Sequence, residues 1–255
     1  MSAASGRFAG KVLFATGGAS GIAEQVAIQF ADQGGRVAIV DLTAERAETA
    51  AARIDGAIGL GADVADEASV KAAVDATVER LGRIDCVLNA AGYADFGPIE
   101  DYSYERWQRM LNVHAGGTFL VCKHALPALR VNGGSIVNIA STAAIVAQPN
   151  NYAYGAAKAA IAGFSRQIAL DLAPDGIRVN TVAPGRARSG ITTPLYTARG
   201  GGSFEEGARV SAQGIMQKRI AEAVEIANVI TFLLSDEASF VTAALYVVDG
   251  GETSA

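Results

Sequence analysis

Tyr154 and Lys158 stand four residues apart at the head of a segment whose apolar residues Ile161, Phe164, Ile168 and Leu172 recur at spacings of three, four and four. That rhythm marks the core-facing stripe of a helix. Extended backwards by three and then four, the stripe reaches Lys158 and Tyr154. Lysine is rarely buried without a partner, although one in a first turn can snorkel to solvent. Positions i and i+4 place an ammonium beside a phenol. A neighbouring cation favours phenolate and lowers a tyrosine pKa from its usual value of about 10, which makes Tyr154 a candidate acid/base near neutral pH. Tyr152 competes, but its i+4 neighbour is Ala156 and it has no cation. Ser141 precedes Tyr154 by thirteen residues and lies just past the apolar run Ser135–Ala140. Its hydroxyl is thus expected at the C-terminal edge of a strand, where open α/β sheets take their ligands. Taken alone, Ser141 reads as a turn or cap residue rather than a catalytic one.

A second constellation lies near the start. Thr16-Gly17-Gly18-Ala19-Ser20-Gly21-Ile22 follows the apolar run Val12–Thr16 and opens a helical segment. Glycines let a backbone approach a diphosphate, and a helix N-terminus offers free N–H groups and positive dipole. Asp41 stands twenty residues after Gly21 at the end of the next strand. A dinucleotide site of the Rossmann type holds the ribose hydroxyls there with a carboxylate. Asp41 and Thr43 also compete to cap the following helix.

The elements that must position these residues are legible from periodicity. Val12–Thr16, Val37–Val40, Ala57–Ala62, Ile84–Leu88, Ser135–Ala140, Arg178–Val182 and Leu245–Val248 read as strands. Ile22–Gln33, Ala44–Arg53, Glu67–Leu81, Tyr104–Leu129, Tyr154–Leu172 and Glu222–Leu234 read as helices. The strands are apolar throughout rather than alternating, as when both faces of a parallel sheet are covered. Strand–helix repetition along residues 1–255 predicts one α/β domain, a doubly wound parallel sheet of about seven strands. Residues 186–213, with Gly200-Gly201-Gly202 and scattered arginines, break the rhythm and read as a lid.

Composition bounds the function. Half of the 255 residues are hydrophobic and 18% are charged, the reverse of a disordered chain. The net charge of −5 speaks against a nucleic-acid partner, which calls for a basic face. Cys86 and Cys122 sit in apolar segments outside any metal-type spacing and read as buried hydrophobes; His114 and His124 read as helix-surface or packing residues. No metal site is expected. No apolar run reaches about 18 residues, and the N-terminus lacks a signal-peptide core, so a soluble cytoplasmic protein is expected.

With these motifs in order the chain resembles the short-chain dehydrogenase/reductase family, whose fingerprint Thr-Gly-x-x-x-Gly-x-Gly it follows except at the last place, Ala23. Asn89-Ala90-Ala91-Gly92, Asp63-Val64, Pro184-Gly185 and Val248-Asp249-Gly250-Gly251 match further family signatures, so the likeness runs from about Gly10 to Gly251. The resemblance implies a Rossmann fold and hydride transfer between a nicotinamide cofactor and a secondary alcohol or ketone. It implies Tyr154 as general acid/base and Lys158 as the group that lowers its pKa and holds the nicotinamide ribose. Ser141 would hydrogen-bond the reacting oxygen, and Asn112 would hold a water leading to Lys158. Asn112 lies in a helix that also carries Gly116-Gly117, which suits a kink. The cofactor would lie along Gly17, Ser20, Gly21, Ile22, Asp41, Leu42, Asp63, Val64, Asn89, Ala90, Gly92, Tyr154, Lys158, Pro184, Gly185, Ala187 and Ser189. NAD is expected over NADP, because Asp41 would repel the extra phosphate and Ala19, Ser20 and Leu42 offer no cation; Arg46 is further along the next helix. The family also implies a homotetramer packed through the two long helices Tyr104–Leu129 and Tyr154–Leu172. Arg186, Arg188, Arg199 and Arg209 are candidates for an anionic substrate or for solvated lid charges. Two other classes stay open: a halohydrin-type lyase, which would replace the lysine, and a nucleotide-binding protein without turnover.

Overall fold

In the computed structural model, which describes residues 6–190 and 192–254, seven strands form one sheet. They are β1 Val12–Thr16, β2 Arg36–Asp41, β3 Ala57–Gly61, β4 Cys86–Asn89, β5 Gly134–Ile139, β6 Ile177–Pro184 and β7 Leu245–Val248. Their order is β3-β2-β1-β4-β5-β6-β7, and every pairing is parallel. The order reverses between β1 and β4, and the crevice beyond the strand ends at such a reversal is where α/β sheets bind ligands.

The helices are α1 Gly21–Asp32, α2 Ala44–Ala51, α3 Glu67–Leu81, α4 Tyr104–Leu111, α5 Gly117–Leu129, α6 Tyr152–Leu172, α7 Thr193–Arg199, α8 Phe204–Ser211 and α9 Ala223–Leu234. Successive strand residues point to opposite faces, so β1 serves two cores. Leu13 and Ala15 pack with α1 residues Val26 and Phe30 and with α9 residues Ile226 and Ile230. Val12 and Phe14 pack with α3 residues Val70 and Val74, α5 residues Val121 and Ala125, and α6 residues Ala169 and Leu172. This double cover is why β1 is buried along its whole length.

Two regions differ from the sequence-based expectation. The expected single helix Tyr104–Leu129 is divided by a π-helical turn over Asn112–Gly116. Gly117, where α5 resumes, sits against Val64; a Cβ there would lie 2.8 Å from Val64 Cγ2. The lid segment, read as irregular, holds α7 and α8. Pro194 in the first turn of α7 and the Ser203 hydroxyl capping α8 start these helices. The left-handed glycines Gly201 and Gly202 separate them. Their small core of Tyr196, Ala212, Ile215 and Ile220 involves too few residues to leave a clear period.

Close packing of α2 on the sheet gives a stability prediction. A Cβ at Gly59 would lie 2.5 Å from Ala47 C, in the backbone of α2. Gly59→Ala is expected to lower the unfolding free energy by about 1–3 kcal/mol, the usual cost of overpacking, read from urea midpoints. A variant as stable as the parent would mean that α2 moves aside freely.

Candidate active site

A cavity of about 1100 Å³ opens over the C-terminal ends of β1, β2, β4, β5 and β6. At one end lies the glycine turn. Gly17 and Gly21 are left-handed, with φ of 64° at each, a conformation that L side chains resist. A Cβ on Gly17 would also lie 2.9 Å from Ala91 Cα. Ser20 precedes α1 in extended conformation and makes no side-chain cap, so the first N–H groups of α1 face the cavity unpartnered by a side chain. Across the gap stand Ser189 and Gly190 of the lid; a Cβ at Gly21 would lie 3.4 Å from Ser189 Cβ. This bare backbone cradle at a helix N-terminus fits a diphosphate.

Asp41 closes that end. Only 9% exposed, its carboxylate accepts from Ala19 N at 3.3 Å and Leu42 N at 3.0 Å, which holds it facing the turn. Arg46 Nε lies 3.3 Å from Asp41 Oδ1, and Arg46 also lines the cavity. One helical turn brings back what looked remote in sequence. Asp63 and Val64 form the opposite wall, Asp63 braced by Ala65 N on its carboxylate at 2.9 Å.

At the other end are Ser141, Tyr154 and Lys158. Ser141 follows β5 and accepts from Ala143 N at 3.2 Å, and it shares the cavity wall with Tyr154. Lys158 is 4% exposed; its Nζ donates to Ile139 O at 2.8 Å and lies 5.4 Å from the Tyr154 ring centroid. The helical stripe therefore does carry phenol and ammonium inward together. The expected electrostatics are different. Burial pushes the Tyr154 phenol up to about 12, opposed only by the Ser141 hydrogen bond, and burial brings Lys158 down to about 7. Dry surroundings disfavour both charged forms, and this outweighs the mutual attraction expected from spacing alone.

A buried lysine is costly. Its folded pKa lies below the unfolded one, so the unfolded state binds more protons between pH 7 and 10.5, and stability rises with pH across that window. Lys158→Met is expected to raise the melting temperature at pH 7 and flatten that slope, each kcal/mol regained being worth roughly 2–4 °C. A Met variant that melts lower at pH 7 would contradict it.

Most of the expected cofactor-side residues line this one cavity: Gly17, Ser20, Gly21, Ile22, Asp41, Leu42, Asp63, Val64, Ala90, Gly92, Pro184, Gly185, Ala187 and Ser189. Asn89 does not. Its side chain is buried below the floor, where Nδ2 donates to Asn138 Oδ1 at 2.8 Å and ties β4 to β5. Asn112 lines the same cavity at its rim, on the exposed side of its helix. Two residues along a helix turn the side chain roughly halfway round, and it is His114 that points in, 1% exposed, with its ring edge-on to Tyr154 at 5.4 Å. The sequence reading set His114 and Arg46 aside and passed over Tyr93 and Thr192, all lining the cavity. The only available signal was that His114 falls two residues after Asn112 beside Gly116-Gly117.

The four lid arginines are engaged locally. Arg186 pairs with Glu252 at 2.8 Å, Arg188 with Glu222 at 3.3 Å and Arg209 with Glu206 at 2.6 Å, and Arg199 donates to Ser211 Oγ at 2.8 Å. Tyr152 donates its hydroxyl to Pro98 O, away from any ammonium.

A family model described as enoyl-(acyl carrier protein) reductase matches residues 17–253. Trans-4-hydroxycyclohexanecarboxylate dehydrogenase of Sinomonas cyclohexanicum is 39% identical, covering 100% of this chain and 97% of its own. D-threitol dehydrogenase of Mycolicibacterium smegmatis is 41% identical over 97% of this chain and 94% of its own. The chain belongs to the short-chain dehydrogenase/reductase family. Its fold superposes on a crystal structure of levodione reductase with a TM-score of 0.92 at 34% identity, covering 97% of this chain and 99% of that one. A short-chain dehydrogenase/reductase of this kind is an oxidoreductase acting on alcohols and ketones, with a nicotinamide cofactor. The left-handed glycines, the α1 N-terminus without a side-chain cap and the Asp41 carboxylate at the end of β2 fit such a cofactor. Among the described residues, no helix is long and apolar enough to cross a membrane.

Proposed function

We propose that this chain interconverts a secondary alcohol and its ketone with NAD(H), Tyr154 carrying the hydroxyl proton. The observation that supports this most is the joining of two ends in one cavity: the glycine turn with Asp41 at one, and the Ser141–Tyr154–Lys158 cluster at the other. The bound nicotinamide would supply or accept the hydride. Tyr154 would take the hydroxyl proton in oxidation and return it in reduction. Ser141, which lines the cavity together with Tyr154, would donate to the reacting oxygen as its charge grows. Lys158 would hold the nicotinamide ribose, as its buried Nζ beside the phenol supports. Gly17, Ser20 and Gly21 would cradle the diphosphate. The Asp41 carboxylate would take the adenine ribose hydroxyls and disfavour a phosphate there.

The related enzymes carry names that run from cyclohexanol to D-threitol, and the lid arginines are spent on Glu252, Glu222, Glu206 and Ser211. A ring alcohol or polyol is the substrate class this supports. A homotetramer built through α5 and α6 agrees with the exposure of Phe119 and Leu170 on them. The test is cofactor binding by fluorescence quenching, followed by a panel of cyclic and polyol secondary alcohols and ketones with NAD(H) and NADP(H), read at the reduced-nicotinamide absorbance band. Turnover with NAD(H) is expected. Binding without turnover across the panel would favour a nucleotide-binding protein, and a lower KM for NADP would refute the cofactor assignment.

A further inference from the structure

Three cationic side chains line the cavity: Arg46, Arg109 and Lys158. Arg46 is paired with Asp41 and Lys158 donates to Ile139 O. Arg109 of α4 is exposed at the wall, and among the described residues its guanidinium has no carboxylate at ion-pair distance and no hydrogen-bond acceptor. Its five N–H donors, set in a planar fork, are unspent. The four lid arginines, the candidates that sequence offered for an anionic substrate, do not line the cavity. Arg106, three residues before Arg109, is held by Asp95, to which its Nε donates at 2.9 Å.

Local packing places the Arg109 charge towards the Tyr154 end. Its Cζ lies 5.8 Å from the centroid of the Tyr93 ring, within cation–π reach. The Tyr93 ring lies 5.6 Å from that of His114, which lies 5.4 Å from that of Tyr154. The guanidinium is thus three such steps from the phenol. The helix fixes which face does this. Met110 is buried with Ala153 and Ala157 of α6, and the opposite face of α4 brings Glu105, Gln108 and Arg109 to the cavity. Glu105 precedes Arg109 by four residues, a spacing that favours an ion pair, yet among the described residues none joins them. The Gln108 amide beside them has no side-chain hydrogen bond there either.

We infer that Arg109 is a substrate-recognition residue whose guanidinium, with the Gln108 amide beside it, takes a carboxylate carried by the secondary alcohol or ketone. This rests on the alcohol–ketone reading given above and narrows its substrate class to hydroxy and oxo acids. The hydroxyl-bearing carbon and the carboxylate must be separated by a ring or several methylenes, because Tyr154 and Arg109 are not neighbours. A carboxylate accepts two parallel N–H bonds from such a fork, which anchors one end of the molecule while the other meets Tyr154. The cofactor diphosphate offers the same anionic chemistry, so the experiment has to separate the two sources.

The test uses the whole enzyme with NAD. The keto acid oxocyclohexanecarboxylate, with its two groups on opposite ring carbons, and its methyl ester are titrated by calorimetry in the presence of NAD+, where neither can react. Values of kcat/KM are then measured for the corresponding hydroxy acid, for decanoate hydroxylated at the penultimate carbon, and for both methyl esters. One or both acids are expected to exceed their esters by about 10- to 100-fold, the range of a hydrogen bond to a charged group. That preference should shrink at high salt. Arg109→Gln should bring it close to one, and Arg109→Lys, which keeps the charge but loses the fork, should retain part of it. Equal affinity for acid and ester in the parent overturns the inference, as does a preference that survives Arg109→Gln. So does an Arg109→Gln variant whose NAD+ affinity falls as far as its acid affinity, which would assign the guanidinium to the diphosphate. A change of mass in light scattering that accompanies the loss would assign it to a subunit contact and overturns the inference too. The two levels separate in the unreactive complex. If acids bind through Arg109 and no alcohol is oxidised, the alcohol–ketone reading fails and the anion site remains. If neutral alcohols are oxidised and acids gain nothing, only this inference fails.

Discussion

Tyr154→Phe is expected to lower kcat about 10³-fold while leaving the melting temperature and cofactor Kd close to those of the parent. The substitution deletes one oxygen. The ring that packs edge-on against His114 at 5.4 Å remains, as does the backbone of α6, so the loss would report proton transfer rather than fold. Its size follows from the roughly 10²–10⁴ that a positioned acid or base contributes, with Ser141 left to stabilise the oxygen alone. Steady-state rates paired with thermal melts decide it, and turnover within a few-fold of the parent would sink the mechanism. The pH dependence carries a sign as well. Burial holds the phenol up at about 12, above its ordinary value, so the protonated form persists through neutral pH. Reduction, which uses the protonated phenol, should be nearly flat there. Oxidation, which needs the phenol to accept a proton, should quicken as pH rises. An oxidation rate that falls between pH 7 and 9 would contradict this.

Asp41→Ser is expected to raise the ratio of kcat/KM for NADP over NAD by about 10²–10³. Asp41 is nearly buried and pinned by Ala19 N and Leu42 N, so it cannot swing away from a phosphate on the adenine ribose. Two unit charges about 4 Å apart at an effective dielectric near 20 repel by roughly 4 kcal/mol, or about 10³ in affinity, less at high salt. Removing the carboxylate also frees Arg46, now paired with it at 3.3 Å and with its side chain 58% exposed. A guanidinium at the cavity edge suits a phosphate. The double variant Asp41→Ser/Arg46→Ala should therefore lose the NADP gain that the single variant makes. A single variant that stays NAD-selective would show that Asp41 is not the discriminating charge, and equal NADP use by single and double variants would clear Arg46.

Where chemistry depends on spacing within one element, the sequence was sufficient. Tyr154 and Lys158 share a helical stripe because 3.6 residues per turn leaves no other arrangement once Ile161 and Leu172 face the core. The glycine turn after β1 and the acid at the end of β2 are likewise local, and the parallel sheet follows from strands that are apolar on both faces. Asn89 shows the limit: its motif was recognisable, but only the pairing of β4 with β5 shows its amide spent on Asn138. The lid arginines show it again, since Glu252 and Glu222 lie 66 and 34 residues from the arginines they neutralise.

The sequence by itself thus determined the layered sheet, the nucleotide-type turn and the pair Tyr154–Lys158, since each is set by backbone periodicity over one or two neighbouring elements. The tertiary structure alone decided three things. His114 rather than Asn112 faces that pair, because a π-helical turn shifts the register of side chains without changing the residue count. Arg46 meets Asp41, because a helix folds its first turn back over the strand that precedes it. The phenol and ammonium are pushed towards neutrality rather than towards charge, because desolvation depends on everything packed around a group, and that environment comes from elements far apart in the chain.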